Sequence, residues 1–164
     1  MPPVIYLSLG SNLGDRAAHL RLAVERLQEA GTVSAVSSFY ETEPVGVKEQ
    51  PWFVNGVAAL ETEKTPRELL DFLLRLEKSM GRDRRLSQGR REKGPRTIDI
   101  DILLFGDRVI QEPGLTIPHP AMHERRFVLE PLTEIAPEVI HPVLKKTSRV
   151  LLASLPPGQQ LRRF

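Results

Sequence analysis

The stretch Thr97-Ile98-Asp99-Ile100-Asp101-Ile102-Leu103-Leu104 alternates with the period of two that marks a half-buried strand. Ile98, Ile100, Ile102 and Leu104 are expected on one face. Asp99 and Asp101 share the other, about 6.5–7 Å apart along the chain. On its C-terminal side, Gly106-Asp107 predicts a turn into a short return strand, Arg108 to Gln111. On its N-terminal side a basic loop, Arg82 to Arg96, leads back to a helix opened by the capping box Thr65-Pro66-Arg67-Glu68. That helix carries Leu69, Leu70, Leu73 and Leu76 inward and stops at Gly81. Further back, Phe53 to Glu61 and Thr32 to Tyr40 read as strands separated by a loop containing Pro and Gly. Before them, Asp15 caps a helix with Leu20, Val24 and Leu27 at spacings of four and three, ended by Gly31. Val4 to Leu9 reads as a buried strand. The order β-α-β-β-α-β is the split arrangement called ferredoxin-like: an α+β fold, an antiparallel sheet with helices on one face.

One domain, 1–164, is expected, with residues 1–112 as the ferredoxin-like core. Residues 113–164 form a C-terminal extension completing the site, with a short helical stretch near Met122 and a last helix around Ser148 to Leu155. The 164 residues are 40% apolar and 27% charged, an ordinary globular composition. There is no cysteine, so disulfides, thiolate catalysis and Cys–zinc sites are excluded. No apolar run reaches the ~20 residues of a membrane span, and the start lacks the pattern of a secretory signal. No membrane partner and a cytoplasmic location are therefore expected, with a monomer as the working form. Net charge is only +2. Within Arg82–Arg96, however, seven residues are positive and two negative, which leaves the rest of the chain net negative. That is one concentrated basic segment, not the broad footprint of a nucleic-acid binder.

Two carboxylates on one strand face can hold hard divalent cations that keep water and phosphate oxygens in their remaining positions. The same pair is also what the solvated face of a half-buried strand would show. Arg82, Arg84, Arg85, Arg90, Arg91, Lys93 and Arg96 tilt the reading toward phosphate chemistry, because guanidinium forks match phosphate oxygens and lead directly into the acidic strand. Gly10-Ser11-Asn12-Leu13-Gly14 lacks the lysine of a P-loop and reads as a strand-to-helix turn. Trp52-Phe53 followed by Asn55 combines an aromatic surface with an amide, which suits a flat heterocycle or plain core. His119, held between two prolines, is a candidate binding residue.

Together, Leu9-Gly10-Ser11-Asn12-Leu13-Gly14-Asp15, Ser38-Phe39-Tyr40-x-Thr42, Gln50-Pro51-x-Phe53-x-Asn55, Gly94-Pro95-Arg96-Thr97-Ile98-Asp99-Ile100-Asp101-Ile102, Pro118-His119 and Arg125-x-Phe127 resemble, in this order, the 6-hydroxymethyl-7,8-dihydropterin pyrophosphokinase family of folate biosynthesis. The resemblance spans essentially the whole chain. It implies transfer of the β,γ-pyrophosphoryl unit of ATP to the hydroxymethyl group of the pterin, releasing AMP. It further implies two Mg²⁺ ions on Asp99 and Asp101, bound with ATP. Arg82, Arg84, Arg96, His119 and Arg125 would hold the triphosphate, Arg82 and Arg96 in the catalytic group. Glu77, Ile102, Leu115 and Thr116 would surround the nucleotide. Phe53 and Phe127 would sandwich the pterin, with Asn55, Thr42, Glu43 and Val45 reading its edges. The chain departs from the family's pattern at Leu74, Lys93, Gly114 and Pro120, positions that bear on the adenine contacts and loop closure.

Three other readings make different predictions. An RNA-binding module on the same fold would present aromatics, where this chain has Asp, on the strand from Thr97. A metal-dependent phosphatase or nuclease would use the same carboxylates without a pterin acceptor. A purely structural protein would tolerate Asp99→Ala.

Overall fold

The computed structural model describes residues 2–43, 51–81, 97–158 and 161–164. Val45, Arg82, Arg84, Lys93 and Arg96 lie outside the described residues. Its elements are β1 (Val4–Ser11), α1 (Arg16–Leu27), β2 (Thr32–Val36), β3 (Tyr40–Thr42), β4 (Phe53–Glu61), α2 (Pro66–Ser79), β5 (Asp99–Phe105), β6 (Ile110–Glu112), β7 (Leu115–Ile117), a 3₁₀ turn (Met122–Glu124), α3 (Arg126–Ile135), α4 (Ser148–Ala153) and β8 (Leu161–Arg163). The main sheet runs β5-β1-β4-β3-β8, and β2 also pairs with β4. Every pairing is antiparallel. The ferredoxin-like core is present, with the central pair β1–β4 flanked by β5 on one side and by β2 and β3 in tandem on the other.

Local chemistry sets the helix starts. Asp15 Oδ1 accepts the Ala18 N–H at 3.2 Å, and Thr65 and Glu68 complete a reciprocal capping box at 3.2 and 2.8 Å. Leu20, Leu27, Leu69, Leu73 and Leu76 from α1 and α2 pack on Ile5, Leu7, Leu9, Val54, Ala58, Leu60, Ile98, Ile100 and Ile102, one face of the sheet. The second face carries another cluster, in which Val57, Leu103 and Leu104 meet Val128, Leu129 and Leu132 of α3 and Leu151 of α4. The extension therefore covers the face that the first two helices leave open. Among the described residues no helix is long and apolar enough to cross a membrane.

Four local expectations are corrected. Thr32 to Tyr40 is not one strand: pairing to β4 stops after Val36 and resumes at Tyr40. The segment after Gly106 does not return along β5; β6 pairs with β7 in a separate two-stranded sheet. Leu104 does not share a face with Ile102. The register slips opposite Tyr6/Leu7, leaving Leu103 as an extra residue and moving Leu104 to the second cluster. Finally, α1 ends at Leu27, and Gly31 is required by close packing, since a Cβ there would collide with the Glu61 carbonyl.

The extension carries a pH-sensitive feature. His141 is buried, its Nδ1 accepts the Val143 and Leu144 N–H groups at 3.3 and 3.1 Å, and its ring stands edge-on to His123 at 6.2 Å. Burial first, then the neighbouring His123 charge, hold its pKa below the ordinary 6.5. The native ring stays neutral while the unfolded ring protonates, so stability present above that value is lost as pH falls through it. The melting midpoint of the wild type is expected to drop more between pH 7.5 and 5.5 than that of His141→Asn, which keeps an acceptor but does not titrate. Parallel curves would show that His141 is not the group responsible.

Candidate active site

Strand register builds the site on the second sheet face. Asp101 stands beside Ser8, and Asp99 beside Gly10. Gly10 pairs with Asn55, Asn55 with Tyr40, and Phe53 with Thr42. Directly paired residues share a face, so two carboxylates, a bare glycine, a buried amide and an aromatic ring line up across β5, β1, β4 and β3. The glycine leaves the space open: a Cβ on Gly10 would stand 2.6 Å from Asn55 Oδ1 and 3.5 Å from the Phe53 ring. Asn55 is 4% exposed and donates from Nδ2 to Thr42 Oγ1 at 2.7 Å, which fixes the orientation of its amide.

The acidic end is held through the outer edge of β5. Glu77, buried on α2, accepts the Ile100 N–H at 2.8 Å. The His119 N–H donates to the Leu103 carbonyl at 3.0 Å. These bonds take the place of a neighbouring strand, and the second delivers the His119 ring to Asp101. His119 Nδ1 accepts the Ala121 N–H at 3.1 Å, so the proton of the neutral ring sits on Nε2, 4.0 Å from Asp101 Oδ2. Asp101 is 40% exposed.

Beside this edge lies a cavity of about 470 Å³ between α2, β5 and the β6–β7 hairpin. Asp101, Ile102, Leu115, Thr116 and His119 line it, five residues expected around the nucleotide and metal. Leu74, Gly114 and Pro120 line it too, so three of the departures from the family's pattern fall on one wall system. Gly114 has φ +75° at the β6–β7 turn, a conformation that favours glycine over a side-chain-bearing residue.

The other expected residues are distributed around this frame. Phe127, on α3, is half-buried against the cluster that covers the second face, and Arg125 lies 5.5 Å over its ring. Glu43 is half-buried just past β3. Glu77 is brought to the site, but as a buried anchor of β5. Leu70, expected to face inward, is half-buried against the core and also lines the cavity. Ser8 and the role of Gly10 in opening the floor were not foreseen; the signal was present as small residues opposite acidic ones, but only the register shows which residues are opposite.

Two carboxylates on one strand face, one of them lining the cavity, suit a hard cation. Among the described residues no three His, Asp or Glu side chains converge to enclose an ion. A cation on Asp99 and Asp101 would thus draw remaining oxygens from water or phosphate, as Mg²⁺ prefers.

The family model described as 7,8-dihydro-6-hydroxymethylpterin-pyrophosphokinase matches residues 6–137. A 2-amino-4-hydroxy-6-hydroxymethyldihydropteridine pyrophosphokinase of Bacillus subtilis is 45% identical over 141 residues, 85% of this chain and 81% of that one. Its counterpart in Pseudomonas aeruginosa is 46% identical over 138 residues, 82% of each. The folic acid synthesis protein fol1 of Schizosaccharomyces pombe is 41% identical over 98% of this chain, which spans only 21% of that protein. The crystal structure of wild-type Plasmodium falciparum HPPK-DHPS superposes with a TM-score of 0.71 at 18% identity, covering 93% of this chain and 44% of that one. At that identity the likeness speaks for the fold.

Proposed function

The chain belongs to the 7,8-dihydro-6-hydroxymethylpterin-pyrophosphokinase family, enzymes of folate biosynthesis, and on that premise we propose that it moves the β,γ-pyrophosphoryl group of ATP to 6-hydroxymethyl-7,8-dihydropterin. The pterin hydroxymethyl oxygen attacks the β-phosphorus, the bond from that phosphorus to the oxygen of the α-phosphate breaks, and AMP leaves; the hydroxyl proton is released. The observation that carries this reading is the single sheet face on which Asp99 and Asp101 stand in line with Gly10, Asn55, Thr42 and Phe53. It supports a donor end on β5 and an acceptor end on β4 and β3, with Gly10 of β1 between them.

In-line phosphoryl chemistry asks for positioning and charge neutralisation more than for an acid–base residue. Asp99 and Asp101 would hold two Mg²⁺ ions, which neutralise phosphate charge when bound. His119, with its Nε2 proton near Asp101, would donate to a phosphate oxygen. Arg82, Arg84, Arg96 and Arg125 would supply the remaining positive charge. Ile102, Leu115 and Thr116 would border the nucleotide in the cavity, with Glu77 holding Ile100 of its wall in place. Phe53 and Phe127 would flank the pterin, and Asn55, Thr42, Glu43 and Val45 would read its edge. His119, Arg125 and Phe127 come from beyond residue 112, which supports a single domain completed by its extension. One copy carries every proposed group, which supports a monomer as the working unit.

Product analysis tests the reaction. With Mg²⁺ and ATP, AMP is expected only when the pterin is present, matched by one pterin diphosphate per AMP. ADP would mean γ-phosphoryl transfer, and nucleotide hydrolysis without pterin would favour a phosphatase.

A further inference from the structure

Thr42, Asn55 and Phe53 occupy one face of β3 and β4, and the residues that alternate with them occupy the reverse face. There Glu41 pairs with Val54 on one side and with Arg162 of β8 on the other. The Glu41 carboxylate, 18% exposed, is gripped from two directions. Arg16, the first residue of α1, reaches Oε2 at 3.0 Å, and Arg162 reaches Oε1 with both Nε and Nη2 at 2.8 Å. Burial pushes the Glu41 carboxyl up, but these guanidinium groups outweigh it and hold it below the usual range.

The same two arginines take hold of Trp52, the neighbour of Phe53. Arg16 Nη1 donates to the Trp52 carbonyl at 2.6 Å, and the Arg162 guanidinium lies 4.8 Å over the Trp52 ring. One residue earlier, Asn12 Nδ2 donates to the Pro51 carbonyl at 3.3 Å. The chain end is tied in as well: the Phe164 N–H donates to the Phe39 carbonyl at 2.8 Å, and Arg16 lies 5.7 Å over the Phe164 ring. Helix α1, strand β3, the start of β4 and the C-terminal strand thus converge directly behind the residues assigned to the pterin. β3 and β8 are each three residues long, too short to hold position by ladder hydrogen bonds alone.

We propose that Glu41, Arg16 and Arg162 form a clasp that fixes β3 and the start of β4, so that Thr42, Asn55 and Phe53 are already in place when the pterin arrives. Glu41 and Arg162 are positioning residues, and the C-terminal strand belongs to the acceptor site although it lies beyond the residues matched by the family model. Ion pairs this near the surface contribute little to global stability. They matter for binding because affinity falls in proportion to the fraction of molecules holding the competent arrangement. The inference rests on the pterin reading of Thr42, Asn55 and Phe53.

The test uses the full chain with Mg²⁺ and a non-hydrolysable ATP analogue. Calorimetry gives nucleotide affinity and pterin affinity separately for wild type, Glu41→Gln, Arg162→Ala, their double variant and Asn55→Ala. Glu41→Gln and Arg162→Ala are each expected to weaken pterin binding about tenfold, with the double variant little worse than either single one. Nucleotide affinity, and turnover measured separately with ATP at saturating pterin, should stay within about twofold. Unchanged pterin affinity in Arg162→Ala, whose side chain is 67% exposed and tolerant of replacement, overturns the clasp. So does an equal loss for both ligands accompanied by a lower melting midpoint, which would make the contact merely structural. Asn55→Ala separates the two levels: if it too leaves pterin binding intact, the acceptor-site reading itself falls.

Discussion

Asp101→Ala is expected to lower turnover by about a thousandfold or more, and Asp99→Ala to do the same, while each leaves the fold of the ligand-free protein intact. The reason lies in where the two carboxylates stand. They occupy the open part of one face of an edge strand, beside Ser8 and Gly10, with the strand itself anchored from behind by Glu77 and along its edge by His119. Nothing in the apolar packing depends on them. Neither substitution opens a cavity in the two apolar clusters, so the fold is expected to persist. In the proposed reaction negative charge from the triphosphate would converge on the same place and would have to be neutralised there. The thermal shift with Mg²⁺ and ATP distinguishes this from a folding defect. Wild type should gain stability by mass action, and each variant should lose most of that gain. Retained turnover in either variant would sink the assignment of the metal pair.

Much of this arrangement was legible before the structure. Alternation exposed the acidic face of β5, and the capping box and leucine spacing fixed α2, because those signals are local and strong. What escaped were features decided by contacts distant in sequence. Helix α3 contains Pro131, a residue that argues against a helix interior, yet its Val128, Leu129 and Leu132 are buried against the second sheet face, and that packing overrides the local cost. Strand β8 is Leu161-Arg162-Arg163, with no alternation to announce it; only pairing with β3 and the Glu41 carboxylate give it a place. The extra residue at Leu103 was invisible because one inserted position in an all-apolar run changes no composition, only phase. At the site the chemistry-bearing types were readable, and Glu77 was expected beside the nucleotide, but its bond to the Ile100 backbone was not. A buried glutamate on a leucine-rich helix face could only be understood once the backbone N–H it serves was known.

Gly10→Ala is the smallest change expected to have a large consequence: about a hundredfold weaker pterin binding, with nucleotide affinity held within about twofold. Backbone conformation is not the cause, because Gly10 lies inside β1 without a positive φ, and Ala suits a strand better than Gly does. The cause is the floor of the proposed acceptor site. The new methyl would sit 2.6 Å from Asn55 Oδ1, well inside van der Waals contact, whereas the Phe53 ring at 3.5 Å could accommodate it. Asn55 has little room to yield, being 4% exposed and tied through Nδ2 to Thr42, itself 1% exposed. Moving the amide breaks that bond and turns its carbonyl away from the place where a heterocycle edge would lie. A double-variant cycle isolates the mechanism. In an Asn55→Ala background the obstruction has nothing to strike, so adding Gly10→Ala should weaken pterin binding no further. If the two losses instead add, the methyl acts on the ligand directly, and Gly10 is a contact surface and not a space reserved for Asn55.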